Sequence, residues 1–199
     1  MADAILERRR DALAAVQRRQ VIEGFAAAAT EKGYAAATIG DIARHAHISK
    51  STFYEHFADK EAAYLHLHAM TLSAVSEAYA SSIARTASDP DWQARVRDFV
   101  RSRLDVAASD PIFLAQAIIE PQVATPAARQ ARVDAAAQTL SLHLQLAEQV
   151  GRPIPEHIAY AGMAATITFI TARAPEGADA IRALEDPITD VWLRLLQLP

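Results

Sequence analysis

The chain has 199 residues, with 20 Lys and Arg against 24 Asp and Glu, a formal net charge of −4 and no cysteine. The missing cysteine excludes a disulfide scaffold and any thiolate metal or nucleophile site, and 6 glycines with 9 prolines exclude collagen-like and low-complexity chains. Alanine, at 45 residues, points to helices because it has the best helix propensity, whereas a charge of −4 does not advertise a nucleic-acid partner.

The N-terminal run MADAILERRRDALAAVQRRQ is charged throughout and lacks the apolar core of a secretory signal. Apolar positions then recur with helical period through Val21, Ile22, Phe25 and Ala29, and Gly33 follows as a C-cap. Short helical segments start at Thr38 and at about Ser51. A long one follows Asp59 and carries Leu65, Leu72, Val75, Tyr79 and Ile83 to about Arg85. The next begins near Pro90, and Pro111 and Pro121 bracket a short one. Three more are expected over about 126–150, 155–173 and 177–198. Proline repeatedly sits where a first helical turn tolerates it. The longest weakly polar stretch, 158–172, is shorter than the roughly 20 residues of a spanning helix. No alternating β-branched run and no fixed-period repeat is present. The expectation is an all-α, soluble, cytoplasmic protein of about nine helices.

The densest information lies in residues 38–61, TIGDIARHAHISKSTFYEHFADKE. Thr38 is an N-cap, with Asp41 three residues on completing an approximate capping box. Ile42 and Ala43 face inward, the chain turns at Ala46-His47-Ile48, and Ser49 is an N-cap residue for a helix carrying Lys50, Ser51, Thr52, Tyr54 and His56. Phe53 and Phe57, four residues apart, form its buried face, and Asp59 caps the helix that follows. Two short helices joined by a tight turn, the second polar with small hydroxyls, form the layout of a helix-turn-helix. Small or flexible polar residues near a helix start permit close approach to base edges in the major groove.

In order and spacing this stretch resembles the TetR-type transcriptional regulators, through Thr38, Ile42-Ala43, Ala46-His47-Ile48-Ser49, Tyr54-Glu55-His56-Phe57 and Lys60-Glu61. The resemblance covers roughly residues 15–64. One departure is His47, where glycine is usual; histidine tolerates positive φ better than most residues, at a cost of about 1 kcal/mol. The resemblance implies base reading by Lys50 and Ser51, phosphate or base-edge contacts from Thr52 and Tyr54, and phosphate contacts at Thr38 and Lys60. Ser49 belongs to the same DNA-binding set. Gly40 stands where some relatives carry a base-reading side chain. His56 is expected to pack between helices and not to touch DNA.

The resemblance divides the chain into a helix-turn-helix domain, residues 1–60, and a helical effector-binding and dimerisation domain, residues 61–199. Residues 1–60 hold nine basic and eight acidic residues, a net of +1, and residues 61–199 carry −5. Arg8, Arg9, Arg10, Arg18 and Arg19 cluster near the start. They read either as a basic arm over residues 1–14 that reaches phosphate or minor groove, or as a solvated helix end.

By the same resemblance the last two helices pair with their copies in a homodimer, through Ile158, Gly162, Ala165, Ile188, Trp192 and Leu195. The alternative is that these helices are merely core. A two-fold dimer would present two reading helices to a palindromic operator. The effector pocket is expected among Phe99, Arg103, Phe113, Gln116, Glu120, Thr139, His143, Leu146 and Phe169, polar or aromatic groups set among apolar ones. His143 is either a ligand contact or a satisfied structural histidine. Arg103 is expected to form a salt bridge with Glu120 or Asp105, with an anionic effector as the alternative.

Other chemistries fit less well. The pairs His45/His47 and His66/His68 have a spacing that puts two rings on opposing sides of a helix, so no metal site is expected. No nucleophile elbow, dinucleotide fingerprint, P-loop or zincin motif is present. The expected function is therefore a DNA-binding regulator, most simply a repressor released by a small-molecule effector, without enzymatic activity, cofactor or membrane partner. The alternative is an all-α small-molecule-binding protein or enzyme using its central cavity.

Overall fold

The structure, a computed structural model, describes residues 2–198, with side chains from Ala12 onward. The described residues form ten α-helices and two 3-10 turns, with no strand. The chain divides into two compact units, Met1–Leu67 and His68–Pro199.

The first unit holds α1 (Ala2–Lys32), α2 (Ile39–His45), α3 (Lys50–His56) and the first turns of α4 (Lys60–Arg85). α1 starts at Ala2, so the candidate arm at residues 2–14 is helical; the side chains of Arg8, Arg9 and Arg10 lie outside the described residues. α1 ends at Gly33, whose φ of +82° is the left-handed conformation that glycine adopts most readily.

Local chemistry sets the boundaries of α2 and α3. The Thr38 hydroxyl accepts from the Asp41 N–H at 3.2 Å, and the Asp41 carboxylate accepts from the Thr38 N–H at 3.0 Å, so the capping box is reciprocal. α2 stops at a turn in which Ile48 N–H donates to Ala43 O and His47 N–H donates to Arg44 O, the pairing of a Schellman motif. Its left-handed residue is His47, at φ +54°, and among the described residues no other non-glycine has positive φ. The turn anticipated from Ala46-His47-Ile48 therefore forms with histidine in the strained position. Ser49 Oγ accepts from Thr52 N–H at 3.0 Å to start α3, and Asp59 accepts from Ala62 N–H at 2.8 Å to start α4.

Val21, Ile22 and Phe25 of α1, Ile42 of α2, Phe53 of α3 and Tyr64 of α4 are fully buried in this unit. Each such side chain contributes roughly 1.5–3 kcal/mol by leaving water. α1 and α2 touch at Gly24, where a Cβ would lie 2.6 Å from Ile42 O and 2.7 Å from Ala46 N.

The second unit holds the rest of α4 with α5 (Trp92–Ser109), α6 (Pro111–Ile119), α7 (Pro126–Gln149), α8 (Glu156–Arg173), α9 (Ala178–Arg182) and α10 (Glu185–Leu195). Asp91, Asp110 and Thr125 cap α5, α6 and α7 through their side chains, and Pro111 and Pro126 occupy the first helical turn. The single helix expected over 177–198 is broken into α9 and α10. Pro187 lacks an N–H and would clash with the Ala183 carbonyl in a continuous helix; in the first turn of α10 it needs no such bond. The core is built on Tyr79 of α4, Phe99 and Leu104 of α5, Leu146 of α7, Ile170 of α8 and Trp192 of α10. The Tyr79 and Phe99 rings stack at 3.9 Å.

Candidate nucleic-acid interface and internal cavity

α3 presents a polar outer face over an aromatic inner one. Lys50, Ser51 and Glu55 are exposed, Phe53 is fully buried, and Tyr54 is 58% exposed with its ring edge-on to Phe53 at 5.5 Å. The hydroxyls at the helix start are engaged with one another: Ser49 Oγ lies 2.6 Å from Ser51 Oγ and 2.9 Å from Thr52 Oγ1. Gly40 leaves room for the Lys50 stem, since a Cβ there would lie 3.2 Å from Lys50 Cε. The fold thus gathers Thr38, Gly40, Ser49, Lys50, Ser51, Thr52 and Tyr54 around the starts of α2 and α3. Arg44 and His45 also face outward nearby, and His45 Nε2 lies 2.8 Å from Glu31.

Lys60 is placed differently from its expected phosphate contact. Its Nζ donates to the carbonyls of Tyr34, Ala35 and Ala37 and lies 4.5 Å above the Tyr34 ring. Burial pushes its pKa down. These bonds tie the loop after α1 to the start of α4, and the ammonium would have to leave three carbonyls to reach a phosphate. His56 is half-buried, and its Nε2 is shielded from solvent.

The second unit encloses a cavity of about 230 Å³, bounded by α4, α5, α6, α7 and α8. Six of the expected pocket residues line it: Arg103, Phe113, Gln116, Glu120, Thr139 and His143. Three do not. Phe99 and Leu146 are packed in the core, and Phe169 is 39% exposed on another face of α8. The sequence reading missed the α4 wall of His68, Leu72, Val75 and Tyr79 and the α8 wall that includes Met163 and Ile170.

His143 is clamped inside this unit. Its ring stacks on Trp192 at 4.8 Å and meets Tyr79 and Phe99 edge-on at 4.9 and 5.0 Å. Nδ1 donates to the Thr139 carbonyl at 2.8 Å, which leaves Nε2 as the unprotonated acceptor. Burial pushes the imidazole pKa down to about 4. The expected Arg103 salt bridge does not form. Arg103 makes no ion pair among the described residues, and its Nη1 is buried without a protein partner. Asp105 is two residues away on α5 and faces elsewhere, whereas Glu120 accepts from Gln116 Nε2 at 3.4 Å.

Three of the expected dimer residues lie inside the unit. Ile188 and Trp192 are buried, and Gly162 is the site where α8 approaches α10, its virtual Cβ 2.8 Å from the Trp192 ring. Trp192 Nε1 donates to Thr166 Oγ1, which donates in turn to the Gly162 carbonyl. The outward stripe of α8 consists instead of small residues at helical spacing, Ala161, Ala165, Thr168 and Ala172, beside exposed Phe169; Ala165 is half-buried and the other three are exposed. Leu195 is half-buried and Leu198 exposed. No three potential metal ligands gather among the described residues, and no described helix is long and apolar enough to cross a membrane.

Residues 22–67, the end of α1 through the first turns of α4, match the family model described as bacterial regulatory proteins, tetR family. That segment is similar in sequence to the DNA-binding part of tetR-family regulators. Solved structures share the fold along nearly the whole chain. FadR, the fatty acid degradation regulator of Bacillus halodurans, superposes with a TM-score of 0.71 at 16% identity, covering 89% of this chain and 94% of that one. A tetR-family regulatory protein from Rhodococcus RHA1 gives 0.71 at 19% identity, covering 92% and 98%. FadR from Bacillus subtilis, solved in complex with stearoyl-CoA, gives 0.64 at 14% identity, covering 87% and 96%. No curated protein sequence gives a significant match.

Proposed function

We propose that this chain is a TetR-type regulator, a cytoplasmic repressor that binds a palindromic operator as a homodimer and is released by a small molecule held in the α4–α8 cavity. The observation that carries the reading is α3 itself, a capped seven-residue helix with Phe53 buried and Lys50, Ser51 and Tyr54 turned outward. Lys50 and Ser51 read base edges, Tyr54 and Thr52 contact phosphate or base edges, and the Thr38, Gly40 and Ser49 backbone lies close to the phosphates. The dimer forms through the small-residue stripe of α8 with Leu195 and Leu198, because small side chains let two helices approach closely.

α4 is continuous from the first unit into the second and forms one wall of the cavity, so a ligand there acts on the helix that follows the reading helix. The ligand shifts the equilibrium only by its differential affinity for the two conformations. A cavity of about 230 Å³ lies below the usual 300–1,000 Å³ of sites for drug-sized ligands. That disfavours an effector as large as the stearoyl-CoA of the Bacillus subtilis relative.

The test is a mobility shift of purified protein on the DNA upstream of its own gene at physiological salt. Sequence-dependent binding that Lys50→Ala with Tyr54→Ala abolishes is expected. Binding that ignores sequence and falls steeply with salt, or a double variant that binds like the parent, sinks the proposal.

A further inference from the structure

Three buried polar atoms of the cavity lack a protein partner: Arg103 Nη1, Gln116 Oε1 and His143 Nε2. Their hydrogen-bond polarity is fixed by what surrounds them. Gln116 Nε2 donates to His68 Nδ1 at 3.2 Å and to the Glu120 carboxylate at 3.4 Å. A carboxylate only accepts, so the amide cannot be reversed and Oε1 is a buried acceptor on a residue that lines the cavity. His143 Nε2 is likewise an acceptor, because Nδ1 carries the proton to the Thr139 carbonyl. Gln116 and His143 are each 2% exposed. Arg103 Nη1 is a donor on a permanent cation. The other charged lining groups are engaged: Arg132 donates to the carbonyls of Val123 and Glu120, and Glu120 accepts from Gln116. Two guanidinium groups against one carboxylate leave the lining with a positive balance, and the remaining walls are mainly apolar.

A buried guanidinium N–H group without an acceptor and buried acceptors without donors are both costly to leave unmatched. A ligand that matches the guanidinium and one of the two acceptors brings an anionic acceptor and a separate donor on a small apolar frame. We infer that the cavity binds a small hydroxylated monocarboxylate, its carboxylate accepting from Arg103 Nη1 and its hydroxyl donating to His143 Nε2 or Gln116 Oε1. A neutral isostere of the acid leaves Arg103 without a counter-charge, and a deoxy analogue leaves unpaired the acceptor that the hydroxyl would satisfy. Sites built to hydrogen-bond a hydroxyl discriminate strongly against its absence. The inference rests on the reading of this cavity as the effector site.

The experiment is calorimetric and thermal-shift titration of the full chain without DNA, so that its outcome is independent of operator binding. The probes are 4-hydroxyphenylacetate and 3-hydroxyhexanoate, each with its deoxy analogue and methyl ester, and tyramine as a cationic counterpart. At least one hydroxy acid is expected to bind, with its ester and deoxy analogue tenfold weaker or more and tyramine without effect. Arg103→Met is expected to weaken the acid at least tenfold while leaving the ester unchanged. Gln116→Leu is expected to narrow the preference for hydroxyl over deoxy. Failure of both hydroxy acids to bind overturns the assignment, as does an ester or amine that binds as tightly, or an Arg103→Met protein that folds and retains the parent affinity. A protein that binds the acids but no operator leaves this inference standing and removes the regulator reading.

Discussion

Gly24→Ala tests the packing on which the reading helix depends. Gly24 lies inside α1, so on helix propensity alone alanine should stabilise by about 1 kcal/mol. The structure opposes this. The new Cβ would lie 2.6 Å from both Ala46 Cβ and Ile42 O and 2.7 Å from Ala46 N. Non-bonded carbon contacts are comfortable near 3.5 Å, so α1 and α2 must separate by roughly 0.8–0.9 Å. Two of the three obstacles are backbone atoms of the bond that closes α2, Ala46 N–H to Ile42 O at 2.9 Å, and they cannot rotate away. Overpacking of this kind costs about 1–3 kcal/mol. Against the propensity gain, the net expectation is a loss of about 0–2 kcal/mol, together with weaker DNA binding because α2 carries the turn into α3. Urea unfolding followed by circular dichroism reads the stability. Ala27→Gly, at an exposed position of the same helix, supplies the propensity effect alone at about 1 kcal/mol. A Gly24→Ala protein about 1 kcal/mol more stable than the parent would refute the close approach.

Four further outcomes are expected. His143 has a folded pKa of about 4 against an ordinary 6.5, so between these values the unfolded chain binds a proton that the folded chain does not. Its contribution to stability is complete above about pH 6.5 and declines as pH falls toward 4, by roughly 2 kcal/mol at pH 5. The difference in urea midpoint between parent and His143→Gln at pH 7 and pH 5 reads this, and equal slopes for the two proteins would contradict it. His47→Gly should stabilise by about 0.5–1 kcal/mol by relieving positive φ, whereas His47→Val should destabilise, both read in thermal melts. Lys60→Ala should lower the melting temperature because its Nζ ties three carbonyls, whereas Lys50→Ala should leave it unchanged and reduce DNA affinity. Trp192→Ala should cost about 3–5 kcal/mol, measured by urea unfolding, because it removes a buried ring and its bond to Thr166.

Features legible in the sequence were those fixed by neighbours a few residues apart. The Thr38–Asp41 box, the Ser49 cap, the Phe53/Phe57 face and the strained His47 turn each depend on spacings of one turn or less, and residue type at that spacing nearly determines the geometry. Long-range partners were not legible. Lys60 reaches carbonyls 23–26 residues upstream, and no local pattern distinguishes that from a free phosphate contact. Leu72, Val75 and Tyr79 recur with the same period whether a helix faces a filled core or a cavity, so the spacing alone did not mark them as a cavity wall. The same ambiguity put Trp192 and Ile188 on a subunit surface: the apolar face of α10 is real, but α8 and Gly162 already cover it. Arg103 appeared to have acidic neighbours, yet one lies on the wrong side of its helix and the other is engaged with Gln116.

With α3 as the proposed reading helix, the hydroxyl cluster at its start limits how much sequence information one protomer of the proposed dimer can extract. Ser49, Ser51 and Thr52 share two hydroxyl–hydroxyl bonds among three O–H groups, so only one of these protons stays free and a new bond from a committed one yields little net discrimination. Most of the selectivity is then left to Lys50 and Tyr54, and each well-read base pair is worth about 1–3 kcal/mol. A bacterial genome offers on the order of a million or more competing positions. One such helix is outnumbered by them, and two held in fixed register multiply their preferences. In the proposed dimer, control over the distance between the two copies is therefore also control over whether its operator is distinguished from bulk DNA.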